Sequence, residues 1–418
     1  MSHLKITSLR ASLSRAYVFR IAPLYFAVFI MRFSFSFTVV ALQFLVANPF
    51  DRGVVSAAYP FMEMSSALFL GVLVDKIGRK WVIVTALLCS SFITFSFTLT
   101  KIIGLLILIH ALQGICASAI VIATLALLTD VSKLSNRGRE MGAYDFFTIS
   151  GYGIGFVFAA FLIGGNPNEA YLPFYLGASV ALAGSVILAL ILKDSKVTLP
   201  QTFSIGSNLR KITSNPSTLS LVLTWFVLMT IIGVALTYTR ELMSLLLLGQ
   251  PNPIFGFGLT HANLKVDGAK IAFLIAGVAI VALSQTSFGS LSDRFGRRKI
   301  ALIGQVSLVG MLFTLIAMIL TSLNRIFFFP LLGIFGLGLL AFAPAALAEL
   351  ADSAPESGRG STMGLYSLTV GAGTIFGPLA GGALLAHYGP MIGLSSLFGF
   401  LAIIMIGILI PRFLKRKS

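Results

Sequence analysis

Long apolar blocks separated by short polar segments run through almost the whole chain. Many of these blocks reach or exceed the roughly 20 residues that an α-helix needs to span a bilayer. Because a backbone in lipid must satisfy its own hydrogen bonds, such blocks predict membrane-spanning helices. The pattern predicts twelve spans, at residues 21–47, 53–74, 80–100, 102–130, 138–165, 171–192, 218–248, 268–290, 299–322, 324–350, 360–387 and 389–411.

The basic residues of the polar segments orient these spans. If the N-terminus lies on side A, this side receives both termini and every second loop, and it holds 23 of the 30 Lys and Arg residues, against 5 on side B. Cytoplasmic loops carry the excess of Lys and Arg, so side A is predicted to be the cytoplasm. We therefore expect a multi-pass protein of the plasma membrane with both termini in the cytoplasm.

Composition narrows the classes of function. Apolar residues make up 57% and charged residues 11% of the 418 residues, and the mean hydropathy is +0.97. A net charge of +16 would suggest nucleic acid as the partner of a soluble protein, but here the loops carry the bases and membrane topology explains them. Cys89 and Cys116 fall inside apolar blocks without metal-ligand spacing. We expect no metal, no cofactor and no nucleic acid, and the lipid bilayer as the surroundings.

The longest polar stretch divides the chain in two. Residues 193–217, KDSKVTLPQTFSIGSNLRKITSNPS, follow the sixth span and are rich in Ser, Thr, Asn and Pro, as is typical of a linker. This position predicts an N-terminal six-helix half at 1–192 and a C-terminal six-helix half at 218–418. The linker between the two halves would lie in the cytoplasm.

The two predicted halves share a duplicated cytoplasmic loop. GVLVDKIGRKWVI at 71–83 matches GSLSDRFGRRKIA at 289–301 with an offset of 218 residues. A second match pairs LTDVSKLSNRGREMGAY at 128–144 with LADSAPESGRGSTMGLY at 350–366, at an offset of 222 residues. Since six spans separate the copies, both halves have the same orientation. The sequence therefore predicts an all-α membrane protein of two six-helix bundles in a parallel repeat.

The duplicated motifs resemble those of the major facilitator superfamily, and the resemblance extends over about residues 20–411. GVLVDKIGRK and GSLSDRFGRR are similar to the family's signature loop after the second and the eighth helix. HALQG at 110–114 resembles the fourth-helix motif RxxQG, with His110 in place of the Arg, and GTIFGPLAGG at 373–382 resembles a Gly-Pro-rich motif. The resemblance implies the family's twelve-helix fold and a transporter.

The resemblance also implies a charge cluster at each copy of the loop, which would latch the halves together on the cytoplasmic side in the outward-facing state. The members are Asp75, Arg79 and Asp130 in the first half and Asp293, Arg297 and Asp352 in the second. Gly71 and Gly289 would let neighbouring helices approach closely, while Gly78 and Gly296 suit a tight turn. Ordinary surface salt bridges in loops that set the topology are the alternative.

Several ionisable residues lie inside predicted spans: Arg32, Glu63, His110, Asp145, Arg240, Glu241 and Glu349. Charges within a bilayer are costly and mark candidate functional sites. Where the repeat can be aligned, these charges are not duplicated, since the other half has Val, Leu or Ser in the place of Glu63, His110 or Asp145. What recurs builds the scaffold, so we expect the unrepeated residues to serve a substrate or an ion. For Arg240, Glu241 and Glu349 we favour a structural role.

Arg32 and Glu63 are predicted to approach each other. Each lies 11 residues from the cytoplasmic end of its span, which places both about 17 Å deep at ~1.5 Å per residue. One interpretation is a static buried ion pair that fixes helix packing. The other is that Arg32 binds an anionic group or keeps Glu63 charged until a proton arrives.

Three more residues belong to the predicted site for substrate or proton coupling. His110 either carries a proton, because histidine titrates near neutral pH, or is a neutral hydrogen-bonded histidine. Asp145 either faces the cavity or caps a network near the charge cluster. Gln113 is part of the HALQG motif.

These features predict secondary active transport of a small organic solute by alternating access, coupled to protons, in a monomer. The chain contains no Gly-x-x-x-x-Gly-Lys-Ser/Thr loop for ATP and no nucleophile motif of an enzyme. The Gly-Pro motif favours export, whereas a fifth span without proline favours uptake, so the direction stays open. A passive facilitator and a non-transporting membrane sensor on the same fold are the alternatives.

Overall fold

The computed structural model describes most of the chain as helices. The described residues are 2–131, 137–163, 171–193, 216–248, 359–414 and 279–353, the last range without 280, 282, 285–286, 289–290, 293 and 322. Most of the predicted linker and of the predicted eighth span, 268–290, therefore lies outside them, and the domain boundaries stay a prediction. Within the described ranges the chain is helical, with short turns and no strand.

The first half contains six helices, each of which coincides with a predicted span. They are α1 (Ser2–Leu45), α2 (Pro49–Ile77), α3 (Arg79–Ser96), α4 (Ile103–Val131), α5 (Arg137–Ile163) and α6 (Leu172–Ile191). The start of α2 follows from its sequence, since the Asn48 side chain accepts hydrogen bonds from the backbone N–H groups of Phe50 and Asp51, and Pro49 takes the first helical position. Unlike the predicted span, α1 continues well before residue 20, because its polar N-terminal residues are also helical.

The helices of the second half are more interrupted than the hydropathy pattern predicts. They are α7 (Pro216–Thr237), α8 (Thr239–Met243) with a π-helical turn (Ser244–Leu248), α9 (Arg297–Leu320), a 3₁₀ turn (Arg325–Phe327), α10 (Phe329–Leu340), α11 (Phe342–Ser353) and α12 (Arg359–Leu414). The predicted seventh span breaks at Tyr238 and the tenth at Ala341. Gly389, with φ of 74°, divides α12 at the predicted boundary between the eleventh and twelfth spans.

The duplication seen in the sequence is also present in the structure. Gly78 and Gly296 each separate two helices with nearly the same backbone conformation, φ 98° and ψ 135° against φ 95° and ψ 123°. The following arginines make equivalent hydrogen bonds. Arg79 Nη1 donates to the carbonyl of Ala126 at 3.0 Å, and Arg297 Nη1 donates to the carbonyl of Ala348 at 3.2 Å. These partners differ by the same offsets, 218 and 222 residues, as the two sequence matches.

Pairs of glycines bring equivalent helices together in both halves. A Cβ on Gly151 of α5 would lie 2.6 Å from a backbone carbonyl of α1, and a Cβ on Gly373 of α12 would lie 2.6 Å from a backbone carbonyl of α7. Gly155 and Gly377 repeat these contacts one turn further along. Small residues spaced by four let helix backbones approach closely in a membrane.

Each half has its own apolar core, and the main described contact between the halves is α2 against α12. The two helices run antiparallel along this contact. It extends from Gly382, where a Cβ would lie 2.8 Å from the carbonyl of Pro49, to Gly371, where a Cβ would lie 2.6 Å from the sulfur of Met64. In this conformation a Cβ on Gly71 would meet nothing within 4 Å, and the close helix contact at Gly71 stays a prediction.

Candidate functional site

Arg32 is the centre of a buried polar cluster formed by three helices of the first half. Its Nη2 donates to Glu63 Oε1 of α2 at 2.9 Å. Its Nη1 donates to the hydroxyls of Tyr59 of α2 at 2.9 Å and Tyr152 of α5 at 2.7 Å. The structure therefore contains the predicted approach of Arg32 and Glu63, and it adds two tyrosines that the sequence analysis did not select.

The cluster forms because glycines let these helices pack at short range. A Cβ on Gly114 of α4 would lie 3.1 Å from the backbone nitrogen of Glu63, and a Cβ on Gly151 of α5 would lie 3.1 Å from the Cβ of Arg32. Tyr59 and Glu63 are four residues apart and so share one face of α2. Arg32 is 9% exposed, whereas the Glu63 side chain is 25% exposed, which leaves the carboxylate as the accessible member of the pair.

His110 lies behind the cluster, enclosed by aromatic rings. Its ring centroid is 5.4 Å from that of Tyr59, 5.9 Å from that of Phe35 and 5.7 Å from that of Phe97. The side chain is buried, and within the described residues no carboxylate forms an ion pair with it. Because a charged imidazolium there would lose its hydration without a counter-charge, this position favours the neutral histidine over the proton carrier.

Gln113 is one turn along α4 from His110, but its side chain connects other helices. Nε2 donates to Thr38 Oγ1 of α1 at 3.2 Å and to Thr94 Oγ1 of α3 at 3.0 Å. The structure therefore does not bring Gln113 to the Arg32–Glu63 pair. Gln113 instead links α4 to α1 and α3 through these two hydrogen bonds.

Asp145 of α5 is exposed. It precedes Tyr152 by seven residues, which places both on one face of the helix. Tyr152 helps to line a cavity of about 260 Å³, whose other residues are Ser36, Val39, Gly153, Phe156, Val157 and Leu236. Since α1 and α5 of the first half and α7 of the second all contribute, the cavity lies between the halves. Asp145 is not one of these lining residues, so its cavity-facing interpretation stays a prediction.

The predicted charge cluster is present in part. Arg79 forms an ion pair with Asp130, which connects α3 to α4 within the first half. The side chains of Asp75 and Asp352, and the whole of Gly289 and Asp293, lie outside the described residues. In this conformation the described members hold two helices of one half together, and a contact between the halves stays a prediction for the outward-facing state.

Sequence reasoning overlooked Tyr59, Tyr152 and Arg52. The two tyrosines carried a detectable signal, since Tyr59 is one turn from Glu63 and Tyr152 is two turns from Asp145. Arg52 precedes the predicted second span, which starts at residue 53, but it is 1% exposed and paired with Glu241. Glu241, for which a structural role was favoured, therefore pairs with Arg52 of the other half.

Comparison with a protein-family model extends the likeness over residues 24–418. The model of the Major Facilitator Superfamily matches residues 24–260 and, in a second match, residues 241–418. The second match begins close to the centre of the chain, which agrees with a repeated structure.

Curated relatives and a solved structure are similar over most of their length. Multidrug resistance protein 2 of Bacillus subtilis (strain 168) is 23% identical over 338 residues, 79% of this chain and 79% of that protein. Multidrug resistance protein 1 of the same strain is 26% identical over 343 residues, 79% of this chain and 80% of that protein. A bacterial homolog of the human lysosomal transporter Spinster, crystallised in an inward-facing and occupied conformation, has a TM-score of 0.71 at 16% identity and 97% coverage of both chains.

Proposed function

Because this chain belongs to the Major Facilitator Superfamily and is a multi-pass membrane transporter, we propose that it moves a small organic anion together with a proton by alternating access. The observation that carries the proposal is the Arg32–Glu63 pair, with its two tyrosine hydroxyls, beside a cavity between the halves. A charged pair at mid-membrane depth is costly, so a role in binding accounts for its presence.

Competition for Arg32 would couple the proton to the solute. While Glu63 is ionised, its carboxylate neutralises the guanidinium at 2.9 Å. When Glu63 takes up a proton, Arg32 loses this counter-charge and becomes a receptor for a carboxylate or phosphate group. Tyr59 and Tyr152 keep the guanidinium in place through the exchange, because both bond Nη1 rather than Nη2. Proton and anion then bind together, and an inward proton gradient drives uptake.

The second candidate is proton-driven export of an apolar solute. The cavity is lined mainly by apolar side chains, among them Val39, Phe156 and Leu236. Two relatives are named multidrug resistance proteins. In this case solute and proton would exchange, so the proton would move in the opposite direction to the solute.

Flux measurements in proteoliposomes test both candidates. Purified protein is reconstituted into liposomes that contain a trapped pH indicator. A panel of organic anions and lipophilic cations is then added with and without an imposed pH gradient. We expect an anion to carry protons with it in the wild type, Glu63→Gln to lose proton-driven uptake but keep solute exchange, and Arg32→Ala to lose both. Lys101→Gln, which removes an exposed cation of the same half, should behave as wild type.

Three outcomes contradict the proposal. Proton movement opposite to the solute supports export by exchange. Solute flux that ignores the pH gradient indicates a passive facilitator. Uptake that survives both Arg32→Ala and Glu63→Gln places the binding site elsewhere.

A further inference from the structure

Hydrogen bonds between the two halves concentrate at one end of the molecule. Four of them have both partners in the described part of the chain, and all four join residues 43–52 of the first half to residues 236–241 of the second. Gln43 makes two, since Nε2 donates to the carbonyl of Leu236 at 3.0 Å and Oε1 accepts from the backbone N–H of Arg240 at 3.1 Å. By the positive-inside assignment this end is the outer face.

Arg52 is the charged centre of this contact. Its guanidinium forms an ion pair with Glu241 across the halves and donates from Nη1 to the carbonyl of Gln43 at 3.2 Å. It also lies over the ring of Tyr238, 5.2 Å from the centroid. Arg52 is 1% exposed, so separating it from Glu241 without access to water would leave a buried charge unpaired.

Tyr238 provides a neutral counterpart to the ion pair. It interrupts the helix between α7 and α8, and its hydroxyl points to two backbone carbonyls, that of Pro49 at 3.0 Å and that of Pro378 at 2.7 Å. Gly53 and Gly382 leave the room that this hydroxyl needs, because a Cβ on either would lie 2.6 Å from it. The Gly-Pro-rich segment 373–382 therefore has a specific task here, as one wall of a socket for Tyr238.

The contact also adjoins the cavity beside the Arg32–Glu63 pair. Leu236 lines that cavity and accepts the hydrogen bond of Gln43 through its carbonyl. Val39, another lining residue, is one turn before Gln43 on α1. Arg32 is 11 residues before Gln43, which is about three turns and places both side chains on the same face of α1. One helix thus carries both the proposed binding residue and the residue that seals the outer end.

We propose that Gln43, Arg52, Tyr238 and Glu241 form the outer gate of this transporter, closed in the present conformation. Opening the cavity to the outside requires the Arg52–Glu241 pair to separate and Tyr238 to leave its socket. Weakening either contact should therefore shift the population towards outward-open molecules. This proposal rests on the transport function proposed above in one respect, which is that opening of the gate is a step of the transport cycle.

Cysteine labelling from outside the cell measures this gate without any known solute. Both native cysteines are replaced (Cys89→Ser, Cys116→Ser), and Val39→Cys introduces a thiol into the cavity lining. In intact cells, a membrane-impermeant maleimide should react slowly with this thiol while the gate is closed. We expect Arg52→Gln and Glu241→Gln each to raise the labelling rate about tenfold, within the range of typical conformational coupling, and Tyr238→Phe to raise it less.

Two controls make the result specific. Lys101→Gln removes an exposed cation of the same half outside the gate and should leave the labelling rate unchanged. Asn324→Cys, in the exposed segment before the 3₁₀ turn at Arg325–Phe327, should label rapidly in every background and so verifies which face is outside.

Unchanged labelling in Arg52→Gln, Glu241→Gln and Tyr238→Phe, in protein that elutes as a single folded species, would overturn the gate. If the labelling rate rises in these variants but the wild type shows no proton-driven flux, the gate is supported and only the proposed proton coupling is refuted.

Discussion

Replacing the Arg32–Glu63 pair by apolar residues distinguishes a static ion pair from a functional one. The relevant variants are Glu63→Met, Arg32→Met and the double variant. Glu63→Met leaves a guanidinium that is 9% exposed, with two tyrosine hydroxyls but without its carboxylate. The double variant removes both charges and keeps a similar side-chain volume.

The magnitudes follow from the geometry of the pair. At the observed 2.9 Å, with an effective dielectric constant of about 20, the Coulomb attraction is about 6 kcal/mol. Removing both ions from water costs several kcal/mol each, so the intact pair is close to neutral relative to apolar residues. Removing one partner destabilises by about 3–5 kcal/mol, because the other charge stays buried. Since Arg32 is the more buried member, Glu63→Met should be the more damaging single change.

Thermal unfolding in detergent and proton-driven flux in liposomes are the two measurements. We expect each single variant to lower the unfolding temperature strongly and the double variant to recover most of the loss. If the pair is functional, the recovered double variant is folded but does not transport. A double variant that is stable and still transports would show that the pair only fixes packing, and a Glu63→Met protein as stable as wild type would refute the assigned burial.

The remaining predictions concern glycines and the exposed carboxylate of Asp145. Gly151→Ala places a Cβ 2.6 Å from a carbonyl of α1 and should destabilise the protein by about 1–3 kcal/mol. Gly142→Ala on the same helix is the control, because its Cβ would have nothing within 4 Å and should not destabilise the protein. Thermal unfolding of the two variants tests this difference. Gly78→Ala forces a side chain into φ of 98° and should lower stability by about 1 kcal/mol or more, unlike Gly71→Ala, whose Cβ meets nothing within 4 Å. Asp145→Asn should leave stability within about 0.5 kcal/mol, because the side chain is exposed, but slow proton-driven flux; an unchanged rate would exclude Asp145 from the proton path.

Much of this architecture was determined by the sequence alone, because the responsible forces act locally along the chain. Apolar blocks of bilayer length become helices in lipid regardless of their neighbours. Gly78 and Gly296 fit the turn conformation that each adopts, and the offsets of the duplicated loop reappear as equivalent hydrogen bonds of Arg79 and Arg297. The Arg32–Glu63 contact could also be predicted from the sequence, because the depth of each residue in its helix follows from counting residues along the span.

The tertiary structure decided which side chains share a surface. Span helices that are apolar on all sides show little periodicity in hydropathy, so the sequence does not indicate how each helix is rotated about its axis. That rotation placed Tyr59 and Tyr152 on Arg32, turned Gln113 towards Thr38 and Thr94, and enclosed His110 in aromatic rings.

Contacts between the halves depended on structure even more strongly. Arg52 and Glu241 are 189 residues apart and lie at the ends of helices, where an exposed charge is the ordinary expectation. Only the packing of α2 against α12, together with the helix break at Tyr238, buries Arg52 and brings it to its partner. Local physical chemistry thus determined the helices and their order, and the close approach of the two halves determined the Arg52–Glu241 contact.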